Sequence, residues 1–137
     1  TMRTTKRSFV FLLALIVIIL VLHILSTVYD WYHAVWWIDI ILHILGGAWA
    51  ALLFFYVQER HVPFFAAMPW WFSIVVAVSF VMLVGVGWEW LEYGFDYFVA
   101  KDDFMLRAQL GLTDTMKDLF DDFIGGLVVG AYFIFKR

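Results

Sequence analysis

From Phe9 to Leu22 every residue is apolar, and this run limits the chain more than any other feature. Continued to Tyr29 it reaches about 20 residues, the length at which a helix crosses the hydrocarbon core of a bilayer. Three further segments have the same character, at about Ala34–Val57, Trp70–Phe98 and 114–135, the last becoming apolar from about Asp118. With 65% of residues hydrophobic and only 15% charged in 137 residues, a water-soluble domain could not hide this much apolar surface. Arg3, Lys6 and Arg7 precede the first run, as in a signal peptide. The run is longer than a signal core and no small-residue cleavage site follows, so it reads as a retained anchor.

The expected fold is therefore an all-α integral membrane protein, a four-transmembrane-helix bundle forming a single membrane domain over residues 1–137. Helices are expected at about 9–29, 34–57, 70–98 and 114–135, with an outer loop at about 100–113. Pro63 and Pro69 bracket the short connection between the second and third helices. With an even number of spans, Arg3, Lys6, Arg7, Arg60, Lys136 and Arg137 fall on one side, against Lys101, Arg107 and Lys117 on the other. The basic excess places both termini in the cytoplasm, and the expected location is the inner (cytoplasmic) membrane, multi-pass. A net charge of −3 gives no reason to expect a nucleic-acid partner. The absence of cysteine excludes a disulfide, an iron–sulfur cluster or a thiolate-bound metal.

The ionisable residues inside the apolar segments are not scattered. Asp39 and His43 are four apart in the outer half of the second helix, and Glu89 and Glu92 are three apart in the outer half of the third. Asp114, Asp118 and Asp122 recur every fourth residue at the start of the fourth, so they share one helix face. Three segments thus bring carboxylates and an imidazole to a similar depth on one side. Left unpaired these groups would repel one another in a poorly solvating medium, so basic side chains or a bound cation should face them. Carboxylate oxygens with an imidazole nitrogen suit a divalent metal ion, and carboxylate-rich helix bundles build such centres. The candidate metal ligands are His43, Glu89, Glu92, Asp118 and Asp122, with Asp39 and Asp114 as supporting or additional ligands.

Plainer readings compete at several positions. Asp114 reads equally well as a helix N-cap. Asp121 reads as a solvated partner of Lys117, and Glu89 and Glu92 as partners of Lys101 or Arg107. His23 reads as a hydrogen-bonded packing residue, and His33 and His61 as loop or interface residues. Gly46, Gly47, Gly125 and Gly126 read as devices for close helix approach, with Gly126 and Gly130 at the familiar spacing.

Three fragments, Asp39-x-x-x-His43-x-x-Gly46, Glu89-Trp90-Leu91-Glu92 and Asp114-Thr115-x-x-Asp118-Leu119-x-x-Asp122-x-x-Gly125-Gly126, together resemble the VanZ-like group of small bacterial membrane proteins, especially its YjdF-type branch. Ile44 stands where that group commonly has an aromatic, and Asp122 where Asn is frequent. The resemblance implies a cell-envelope membrane protein and supplies little biochemistry.

The leading functional expectation is a divalent-metal site open to the extracytoplasmic side, serving a metal-dependent hydrolase that acts on an envelope lipid or lipid-linked substrate. No serine or cysteine nucleophile arrangement accompanies it. One alternative is an accessory subunit whose aromatic surface, 21% of the residues, packs against membrane-protein partners. The other is a cation or proton transporter, against which stands the lack of ionisable groups in the inner halves of the helices.

Overall fold

Residues 2–62, 64 and 68–135 are described by a computed structural model, which gives side chains for all of these except 2–7 and 134. Five α-helices follow one another: α1 (Met2–Val28), the single turn α2 (Trp31–Ala34), α3 (Ile38–His61), α4 (Trp70–Phe95) and α5 (Leu112–Phe135). The α4 axis continues through a π-helical turn at Asp96–Ala100, and a 3-10 turn at Phe104–Leu106 leads towards α5.

Local chemistry sets most of these boundaries. Asp30 lies in the left-handed region at φ 58°, which breaks the path between α1 and α2; Asp tolerates this because its short side chain can hydrogen-bond locally, here to His33 Nδ1 at 2.5 Å. The second apolar segment was expected to start near Ala34, but α2 and the following turn intervene and α3 begins at Ile38. Pro69 precedes α4, its carbonyl accepting from Phe72 N and Ser73 N. Gly111, at φ 119°, supplies a backbone angle unsuited to other residues just before α5.

Among the described residues, three helical stretches are long and apolar enough to cross a membrane: Ser8–Val28, Ile38–His61 and Trp70–Ala100. This corrects the expectation of four transmembrane helices. α5 has 24 residues, which is length enough, but Asp118, Asp121 and Asp122 interrupt its apolar run. Three qualifying helices also remove the even-span argument that placed both termini in the cytoplasm, and residues 1, 136 and 137 lie outside the described residues.

α5 gains its place by packing, chiefly against α3 and then against α4. The α3–α5 approach is backbone to backbone: a Cβ on Gly47 would collide with the main chain of Asp122, and one on Gly125 with Ile44 O. Gly126 sits more loosely against the Val81 side chain, and Gly130 has only Ile74 nearby at 4.0 Å. The tight seam is thus Gly47 on Gly125's helix rather than the Gly126–Gly130 spacing. Ala50, Ala51 and Val81 form the buried core beneath it, ringed by Trp49, Phe80, Val84 and Val129. α1 lies against α3, and Trp49 Nε1 donates across to Leu12 O at 2.9 Å. The large apolar side chains Phe11, Val17, Leu83 and Val128 are exposed, the inside-out distribution of a protein solvated by lipid.

Candidate metal centre

The helix pairing brings one end of α3, α4 and α5 together, and His43 stands at the meeting point. Its Nε2 lies 3.6 Å from Asp39 Oδ1, one turn back on α3, and 3.9 Å from Asp118 Oδ1 on α5. Its Nδ1 faces Asp122 Oδ2 at 3.5 Å. Ligand atoms of Asp39, His43 and Asp118 come within 4.8 Å of one another, as do those of His43, Glu89 and Glu92. His43, Glu89, Glu92, Asp118 and Asp122 are all buried. These two overlapping His/Asp/Glu clusters are capable of coordinating a divalent metal ion.

The clusters differ in what already neutralises them. Lys117 Nζ donates to Asp39 Oδ2 at 2.5 Å and Asp114 Oδ1 at 3.2 Å, and ion-pairs with Asp118 Oδ1 at 2.7 Å. One ammonium therefore answers three carboxylates. Asp114 also accepts from Leu110 N at 3.1 Å, so it ties the entering loop to Lys117.

The glutamates are held differently. Glu92 Oε1 accepts from Trp88 Nε1 at 2.9 Å, across one turn of α4. Glu89 Oε2 accepts from Gln109 Nε2 at 3.3 Å. Gln109 is fixed in turn: its side chain donates to Thr115 Oγ1 at 2.9 Å, and its backbone N–H to Asp96 Oδ2 at 3.1 Å. Asp96 Oδ1 also takes Ala108 N at 2.8 Å, so one carboxylate clamps the loop in register. The other oxygen of Glu89, Oε1, is buried with no hydrogen-bond partner, an arrangement that native proteins rarely leave without purpose.

Several residues sit otherwise than the sequence suggests. Arg107 donates to Lys101 O at 3.1 Å, and the hydrogen bonds of Glu89 and Glu92 come from Gln109 and Trp88. Asp121, expected on a solvated face beside Lys117, is only 9% exposed and its Oδ2 has no hydrogen-bond partner. The i,i+4 spacing to Lys117 was misleading because that ammonium turns to Asp39 on the neighbouring helix. Neither Trp88 nor Gln109 is among the residues that the sequence marks for the centre. The i,i+4 spacing of Trp88 and Glu92 offered a signal for the first; nothing in a loop sequence marks the second.

Next to the centre, His23 and Tyr32 close one wall of a chamber of about 150 Å³ between α1, α3 and α4. His23 Nδ1 and Tyr32 Oη are 2.5 Å apart. Burial, reinforced by the negative field of Glu92 and Asp39, raises the Tyr32 pKa far above its ordinary value. The phenol thus stays protonated, and its hydrogen bond to His23 takes its direction from the imidazole tautomer. This agrees with reading His23 as a hydrogen-bonded packing residue.

Comparison with known proteins adds a family and no chemistry. No curated protein matches the chain, and no solved structure does. One family model, described as "Predicted membrane protein (DUF2238)", matches residues 4–137. A multi-pass membrane chain with this buried cluster, matched over nearly its whole length, belongs to the DUF2238 family of predicted membrane proteins.

Proposed function

We propose that His43, Glu89 and Glu92 hold a divalent metal ion, and that the centre serves hydrolysis of a phosphate or carboxylic ester in a membrane lipid or lipid-linked substrate. The observation that carries the reading is the buried group of His43, Glu89 and Glu92, in which Glu89 Oε1 has no hydrogen-bond partner. Each glutamate has one oxygen oriented by a donor, which leaves its second oxygen for a cation. Asp122 beside Nδ1 is placed to hold a proton there, which would leave Nε2, on the side of Asp39 and Asp118, to ligate. The Trp88, Gln109 and Asp122 contacts are the outer support that metal-binding side chains ordinarily need. Two carboxylates and one imidazole suit Mn²⁺, Fe²⁺ or Zn²⁺ better than a soft ion.

An ion bound there would supply Lewis acidity to a phosphoryl or acyl oxygen and a water of lowered pKa. Asp118, buried and 3.9 Å from His43, is a further carboxylate able to accept a proton. The site faces the extracytoplasmic side in this reading, because Arg3, Lys6, Arg7 and Arg60 on one side of the three spans outnumber Lys101, Arg107 and Lys117 on the other. The ordered Asp–His, Glu-x-x-Glu and Asp-Thr motifs support kinship with the VanZ-like, YjdF-type envelope proteins.

Elemental analysis of protein purified without chelators is expected to find a tightly held transition-metal ion, and Glu89→Gln to reduce its affinity strongly. A metal-free protein whose thermal stability is unchanged by EDTA would falsify the centre. Lys117 makes a second, sharper test. Lys117→Met uncovers Asp39 and Asp118 without touching Glu89 or Glu92, and because one imidazole nitrogen binds one ion at a time, metal content is expected to stay at a single ion per chain. A fall would show that Lys117 supports the centre. The hydrolytic step is read separately, as metal-dependent phosphate release from a lipid phosphate; no release from metal-loaded protein would remove the enzyme while leaving the centre.

A further inference from the structure

Behind Glu92 the protein has a second cavity, of about 410 Å³, between the upper turns of α1 and α4. This is within the roughly 300–1,000 Å³ range of small-molecule sites. Ile24, Thr27 and Val28 line it from α1, and Leu91 and Phe95 from α4, with Glu92 at its inner wall. His23 and Trp88 line both this cavity and the apolar chamber next to His43. Their rings meet edge to face, centroids 4.9 Å apart, and form the partition between the two spaces.

The polarity of this cleft is graded along its depth. Its outer lip belongs to Ile24, Val28 and Leu91, which are 57%, 67% and 66% exposed and continue the lipid-facing surface. Its inner end reaches Glu92, one of the His43–Glu89–Glu92 group. Ile24 and Val28 belong to the apolar stretch Ser8–Val28 and Leu91 to Trp70–Ala100, each long and apolar enough to cross a membrane, so the lip is continuous with surfaces suited to lipid.

We infer that the cleft between α1 and α4 receives the hydrocarbon chain of an anionic membrane amphiphile, whose head group is presented to the metal centre from the side. The choice of occupant follows from the gradient: an apolar mouth continuous with the lipid surface, and at depth a place where a bound cation meets an anionic head. This specifies the substrate class of the proposed hydrolase and rests on that reading for the head group only. The chain-binding role stands on the cavity and its lipid-facing lip. Thr27, whose hydroxyl is turned back to His23 O at 3.1 Å, contributes its methyl side to the wall.

The test is photolabelling of the full chain in phosphatidylcholine nanodiscs that contain a phosphatidic acid with a diazirine near the end of its acyl chain. Labels mapped by peptide mass spectrometry are expected at Ile24, Thr27, Leu91 and Phe95, enriched about tenfold over Phe11 and Val17, the ratio given by ~1.4 kcal/mol of preference. Labelling equal to that of Phe11 and Val17 overturns the inference. Thr27→Trp, which fills the cleft, is expected to reduce labelling at Leu91 about as much with metal content unchanged; undiminished labelling at Leu91 overturns it too. Should Thr27→Trp fail to fold, the map on the unaltered chain still decides. Enriched cleft labels on a protein that carries no metal would uphold the cleft and reject the centre. Uniform labels on a metal-loaded protein would do the reverse.

Discussion

Gly47→Ala is expected to destabilise the protein more than any other single-methyl change on α3. At this position the main chain of Asp122 occupies the space a Cβ needs, so α3 and α5 must separate along their tightest seam. Overpacking of this kind typically costs about 1–3 kcal/mol, and more where the obstacle is backbone and no flexible side chain can yield. The damage should extend to the site. The Asp122 side chain rests against Gly46 and Gly85, and shifting its main chain moves its carboxylate away from His43 Nδ1. Gly87→Ala is the matched control, because a Cβ there meets nothing within 4 Å. Alanine at that position should be neutral or stabilising by up to about 1 kcal/mol through helix propensity. Thermal unfolding in mild detergent compares the pair, and equal melting temperatures would mean the α3–α5 seam is not formed as described.

The second large effect is expected for His43→Ala, which should lower metal affinity by more than the 10–100-fold typical of losing a supporting residue. Both clusters depend on this one imidazole, so among the described residues neither His/Asp/Glu group survives its removal. The substitution also leaves Asp39, Asp118 and Asp122 facing a void in which their like charges are poorly separated. His61→Ala, at the far end of α3, should leave metal content unchanged. Competitive titration with a chromogenic chelator measures both, and an equal affinity in the two variants would exclude His43 as a ligand.

How much of this was legible in the sequence varies with the reach of each interaction. Helix spacing and the alternation of chain direction sufficed to bring Asp39, His43, Glu89, Glu92, Asp118 and Asp122 to one end of the bundle, because both act over a few turns. Close approach of the second and last helices was likewise readable from Gly47 and Gly125, although not which glycines would form the seam. α5 reads as a span because Asp118, Asp121 and Asp122 look in the sequence like a polar start to an apolar run, whereas they interrupt it. The partner of Lys117 was unreadable for a different reason. Asp114, Asp118 and Asp121 all lie within a turn of it, and only the position of Asp39 on α3 draws the side chain to one side. Gln109 reaches Glu89 from a loop whose register is set by Asp96, a long-range fit with no periodicity to reveal it.

The interrupted apolar character of α5 has a consequence for biogenesis. α1, α3 and α4 can each partition into lipid on their own hydrophobicity. A helix bearing Asp118, Asp121 and Asp122 gains little from lipid alone and settles where α3 and α4 offer His43 and a glycine-lined surface. An ordered assembly follows: the earlier helices form a receptor, and docking of α5 brings Asp118 and Asp122 to His43. A chain arrested before α5 would hold His43, Glu89 and Glu92 in the membrane with neither aspartate beside the imidazole.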